Sequence, residues 1–242
     1  MSQGGKFPDT RWTLISSLRE GDASQREEAI AELCRSYWYP VYCFARRSGL
    51  STHDSEDLTQ AFFQMTLKRD LFANVTDGKR GRLRSLILKS VSNLIASNWR
   101  KEQAAKRGGR EPKLSLDLAE AEPRYQIEDT NAASPESAFE RQWAASVMTR
   151  GFERLAEEYQ EAGKSEKFQV LSPCLSRPGD EEEHIEMASR LGIQPPSVRT
   201  EVHRLRKQFR AMLRDEVSRH CNTLDDPDEE LRYLHELLAS SQ

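Results

Sequence analysis

Through the first half of the chain apolar residues recur at steps of three and four, and no stretch alternates with the period of two that a half-buried strand needs. The pattern predicts helices. One stripe runs through Ala29, Ile30, Leu33, Tyr37, Val41, Phe44 and Ala45, with Pro40 as an expected kink or break. Ser51 and Asp54 then resemble a capping pair, and Leu58, Ala61, Phe62 and Met65 carry one apolar face to about Phe72. After a turn-rich connection with Gly78 and Gly81, the residues Leu83, Leu86, Ile87, Val91, Leu94 and Ile95 make the inner face of a third helix. Arg84, Lys89, Ser92, Asn93, Ala96, Arg100 and Lys101 cover much of its other side. From Gly108 to Ser134 the periodicity lapses into Gly, Pro, Ala, Ser and charged residues, which reads as a linker.

Ser134-Pro135-Glu136 supplies a cap, a first-turn proline and a first-turn acid, and Phe139, Trp143, Val147, Phe152, Leu155 and Tyr159 continue a helix beyond it. Two shorter segments, about 165–176 and 181–191, lead into a basic helix from about Pro195 to Val217. Leu231, Leu234, Leu237 and Leu238 outline an acidic amphipathic helix in the tail. The expected architecture is all-α. Two helical domains, at 23–107 and 135–220, are joined by an extended linker at 108–134. An N-terminal extension covers 1–22 and an acidic C-terminal extension covers 221–242. The length of 242 residues suits two cores of roughly 100 residues each.

Composition narrows the function classes. No run approaches the roughly 20 apolar residues of a membrane span, and the N-terminus has no export signal, so no membrane insertion and a cytoplasmic location are expected. Cys34, Cys43, Cys174 and Cys221 lie far apart without a C-x-x-C pair, which argues for reduced thiols rather than disulfides or zinc. The net charge of -3 hides an asymmetry: ten basic residues lie between Lys79 and Arg110 against Glu102 alone. Acids gather instead at Asp54, Glu56 and Asp57, at Asp180 to Glu183, and from Asp225 to Glu230. Different segments should therefore meet different partners.

Ala188, Gly192 and Val198 hold the relative positions of a helix-turn-helix: a small residue at the helix contact, a glycine in the turn, and an aliphatic anchor in the second helix. Ile185, Leu191, Ile193, Val202, Leu205 and Phe209 would face inward. Ser197, Arg199, Thr200, His203, Arg204, Arg206, Lys207 and Arg210 would project outward, which suits base edges and phosphates of a major groove. The competing reading is an ordinary hairpin with a solvated basic face. Trp99 beside Arg100 and Lys101 could stack on an unpaired base or belong to a core. Asp54, Glu56 and Asp57 sit at a helix start, where the macrodipole alone favours acids. The five histidines are scattered and no metal or nucleophile constellation appears, so no catalytic residue, metal or cofactor is expected.

The order of these pieces resembles the extracytoplasmic-function sigma factors of bacterial RNA polymerase, which keep only sigma regions 2 and 4. Leu33 through Tyr42 resembles region 2.1, and Ser55-Glu56-Asp57-Leu58-Thr59-Gln60-Ala61-Phe62-Phe63 resembles region 2.2. Gly81 through Ile87, with Asn93, Asn98, Trp99 and Arg100, resembles regions 2.3 and 2.4. Ala188 through Ile193, with Val198 and His203 through Arg206, resembles region 4.2. Phe7 through Trp12 and the long linker resemble a planctomycete-type subgroup. The chain departs from the pattern at Ala61, where the family often has an acid, and at Ser85-Leu86, where it often has Trp-Leu.

The resemblance implies a transcription factor without catalysis, whose partners are the polymerase core, through its β′ and β subunits, and promoter DNA. An anti-sigma factor would be a further partner. Asp54, Glu56, Asp57, Gln60 and Phe63 would bind polymerase. Arg84, Asn93, Asn98, Trp99, Arg100 and Lys101 would hold the melted minus-10 element. Ser197, Arg199, Thr200, His203, Arg204, Arg206 and Lys207 would read the minus-35 duplex. The two elements lie about 70 Å apart at roughly 34 to 36 Å per turn. A linker spanning 108–134 reaches about 90 Å only when fully extended. The alternatives are a stand-alone helix-turn-helix regulator, an enzyme acting on DNA, against which the lack of nuclease-like spacing among the acids counts, and a helical adaptor.

Overall fold

A computed structural model describes residues 14, 17–18, 21–67, 83–104, 121–128, 134–221 and 226–239, with side chains excepted at 67, 98–104 and 127–128. Among the described residues the chain is all-α, and no strand occurs. The helices are α1 (Ala23–Arg47), α2 (Thr52–Leu67), α3 (Leu83–Ala104), α4 (Ala121–Glu128), α5 (Pro135–Glu161), α6 (Ser165–Leu171), α7 (Glu181–Leu191), α8 (Pro195–Ser218) and α9 (Pro227–Ala239). A 3₁₀ turn at Ser172–Leu175 separates α6 from α7. No described helix is long and apolar enough to cross a membrane.

The chain divides into two compact units, one of Met1–Ser146 with Ser218–Gln242 and one of Val147–Val217. The division falls inside α5, whereas the expected boundary lay at residue 135. It also joins the tail, expected as a separate extension, to the first unit.

In the first unit α1, α2 and α3 pack on one another. An Asp22–Gln25 capping box starts α1, with the Gln25 N–H donating to the Asp22 carboxylate at 2.9 Å. Pro40 does not break α1, although it removes one helical donor. Every residue from Tyr39 to Ala45 is buried, so packing on both sides of the proline offsets the lost hydrogen bond. Ser51 caps α2 as expected, accepting from the Asp54 N–H at 3.2 Å. Phe62 and Phe63 are fully buried beneath it with their rings edge to face at 5.1 Å, and Ile87 and Val91 bury the inner side of α3.

Part of the expected linker is ordered. Helix α4 lies on α1, where Tyr42 donates to Glu122 at 2.5 Å and Arg46 forms a two-nitrogen fork on the same carboxylate at 3.0 Å. The Arg46 and Arg124 guanidinium groups cover the rings of Tyr125 and Tyr39, at 5.2 and 3.9 Å from the centroids. These pairs hold down a segment too poor in regular apolar spacing to announce itself.

The second unit closes around Leu155, Tyr159, Phe168, Val170, Leu171, Cys174, Ala188, Val198, Val202 and Leu205. Gly151 is buried in α5, and a Cβ there would lie 2.6 Å from a methyl of Leu213. Absence of a side chain lets α5 and α8 approach closely at this point. All four cysteines are free thiols, and Cys43, Cys174 and Cys221 are buried.

Candidate nucleic-acid interfaces

Helix α7 begins with a reciprocal cap: the Glu183 N–H donates to Asp180 at 2.8 Å, and the Asp180 N–H donates to Glu183 at 3.0 Å. Arg177 pairs with the same Glu183 carboxylate. Its hydrogen bond, followed by that of the Asp180 N–H, pulls the Glu183 carboxyl from 4.5 down to about 2. The folded value is depressed, so the cap is complete above pH 4.5 and loosens as pH falls toward 2. An NMR titration of the Glu183 side chain should place its midpoint near 2, and a midpoint near 4.5 would remove the Arg177 pair.

Gly192 ends α7 with φ 63° and ψ 31°, a left-handed conformation that costs a residue with Cβ about 1–2 kcal/mol. The Ile193 N–H reaches back to the Ala188 carbonyl at 3.0 Å, and α8 starts three residues after the glycine. Ala188 and Val198 are both buried, the small contact and the anchor that this turn demands.

Helix α8 has two faces. Val198, Val202 and Leu205 enter the core, while Ser197, Arg199, Thr200, His203, Arg204, Arg206, Lys207 and Arg210 are all exposed. Ile185, expected to face inward, is instead 54% exposed on α7. Arg204 pairs with Glu201 at 3.0 Å, and Lys167 reaches the same carboxylate at 2.6 Å, holding Glu201 below its ordinary value. Arg206 differs from its neighbours: its guanidinium donates to the Cys174 carbonyl at 3.0 and 2.7 Å. It ties α8 to the 3₁₀ turn, a structural task that its place in a basic run did not reveal.

On α2, Asp54 and Asp57 are exposed and Glu56 and Gln60 partly so. Phe63 is not available as a contact residue, because it is fully buried in the first unit. On α3, Asn93 is exposed, whereas the side chains of Asn98, Trp99, Arg100 and Lys101 lie outside the described residues.

Arg84 corrects the expectation of an outward cation, since its side chain is 3% exposed. Its guanidinium lies between the rings of Trp143 and Tyr233, 4.8 and 4.4 Å from their centroids. It pairs with Glu230, 5% exposed on α9, and with Glu140 at 3.5 Å, and Tyr233 donates its hydroxyl to Glu140. The helical period held a signal: Arg84 stands three residues before Ile87 and seven before Val91, on the buried side. Glu230 likewise stands four before Leu234, which is buried. No family model, no curated protein and no solved structure matches the chain.

Proposed function

We infer that this chain is a sigma factor of the extracytoplasmic-function type, which carries RNA polymerase to promoters and performs no chemistry itself. The observation that carries the reading is α8: an exposed cationic face behind a left-handed Gly192 turn, on a helix whose other face is the core of its unit. Such a helix presents side chains to base edges from its first turns and to phosphates from its later ones. In this reading Ser197 and Thr200 read the minus-35 duplex, and Arg204 and Lys207 bind its phosphates. The exposed carboxylates of Asp54 and Asp57, with Glu56 and Gln60, form the polymerase contact. Asn93, Asn98, Trp99, Arg100 and Lys101 serve the minus-10 strand.

The docked α4 adds a condition to this reading. While it lies on α1, only residues 129–134 connect it to α5, a reach of about 20 Å. Spanning two promoter elements about 70 Å apart requires α4 to leave α1 and the start of α5, which belongs to the first unit as well, to come away with it. Polymerase would supply the energy for that release through its own contacts with both units.

Purified chain added to sigma-free polymerase core tests the function. Promoter-specific transcripts and a stable complex with core are the expected result. Tight, sequence-specific duplex binding with no core complex would replace this reading with that of a stand-alone regulator.

A further inference from the structure

The Arg84 cage joins three segments of the first unit: α3 provides the cation, the start of α5 provides Trp143 and Glu140, and α9 provides Tyr233 and Glu230. In sequence the last two flank residues 147–217 on either side. A guanidinium between two ring faces with a carboxylate against it has the chemistry of a phosphate-binding arginine whose place is already taken. Helix α9 also opens with Asp228, Glu229 and Glu230, a run of acids opposite in sign to the Lys79–Arg110 block that contains Arg84.

We propose that α9 is a built-in anionic competitor, whose Glu230 occupies Arg84 and withholds it from the phosphate of a separated DNA strand until the cage opens. The proposal rests on the promoter-binding reading for its ligand. Its geometry stands on the cage alone. Arg84 cannot serve a strand in this arrangement, because Glu230, Glu140 and the two rings together leave its side chain 3% exposed. A strand must therefore displace Glu230 before it can use this cation. Residues 218–242 thereby gain a role: they set the threshold at which the first unit accepts DNA.

The test uses the full chain and a fluorescein-labelled single-stranded oligonucleotide, titrated at several salt concentrations. Glu230→Gln keeps the side-chain volume and removes the charge, leaving Arg84 with Glu140 and both rings. Leu234→Asp, on the buried side of α9, dislodges the helix by an independent route. One additional neutralised phosphate steepens the slope of log affinity against log salt by about 0.7, or about fivefold tighter binding at 0.1 M salt. Both variants should show that gain with helicity retained, and Glu230→Gln/Arg84→Gln should lose it again. If Glu230→Gln alone melts, Leu234→Asp decides. Wild-type affinity and slope in the folded variants would overturn the proposal, as would a gain that survives loss of Arg84. A pull-down with polymerase core on the same samples separates the two ideas. Core binding with unchanged oligonucleotide affinity would sink the competitor helix only. An Arg84-dependent gain without core binding would instead sink the sigma reading and keep the helix.

Discussion

Arg84→Met should lower the stability of the first unit by about 3–5 kcal/mol, because it removes the cation paired with the buried Glu230 carboxylate and with Glu140. The aliphatic stem of methionine preserves part of the contact with Trp143 and Tyr233, so the loss reports chiefly the broken charge pair. Glu230→Gln should cost less. Arg84 then keeps Glu140 at 3.5 Å and both ring faces, so its charge is still partly compensated. Replacing both partners with apolar residues, Arg84→Met with Glu230→Leu, should recover most of the stability, since desolvation of two ions is then avoided. Urea denaturation followed by the helical circular-dichroism signal measures all three. A double variant as unstable as Arg84→Met alone would mean that shape, rather than the buried charge, governs the cage.

Leu205→Ala should cost the second unit about 2–5 kcal/mol, the range for truncating a fully buried leucine. Its neighbour Arg204 offers the contrast. Arg204 is exposed and Glu201 keeps Lys167 when it is removed, so Arg204→Ala should shift stability by no more than about 0.5–1 kcal/mol. If α8 binds DNA as proposed, the effect of Arg204→Ala should appear there, as a loss nearly uniform across sequences and a salt slope smaller by about 1. Leu205→Ala should instead lose DNA affinity only in proportion to the unfolded fraction. Equal destabilisation by the two changes would show that α8 does not divide into a core face and an exposed basic face.

The helices α1, α2 and α3 were legible because each carries its apolar residues at three- and four-residue steps, and most of those residues are buried. Tyr37, Leu58, Phe62, Ile87 and Val91 are examples. The turn between α7 and α8 was legible for a local reason as well: only glycine accepts φ near 60° at little cost, and Ala188 and Val198 stand at the spacing that such a turn imposes. The outward residues of α8 followed from the same period. By contrast, α4 was hidden in the linker. Its hold on α1 comes from Glu122 with Arg46 and Tyr42, a polar contact between residues far apart in sequence, which no periodicity encodes.

Local spacing alone thus determined the all-α class, the faces of the long helices and the helix-turn-helix geometry, because those depend on backbone preferences and on one repeating contact between near neighbours. Tertiary structure alone decided that Pro40 stays within α1, that Phe63 is core, that Arg206 braces the 3₁₀ turn, and that Arg84 is caged rather than exposed. A charged residue near the edge of an apolar stripe can turn either way. Which way it turns depends on whether a distant segment brings a counter-ion, and for Arg84 that segment is α9, whose Glu230 offsets part of the cost of burying a guanidinium.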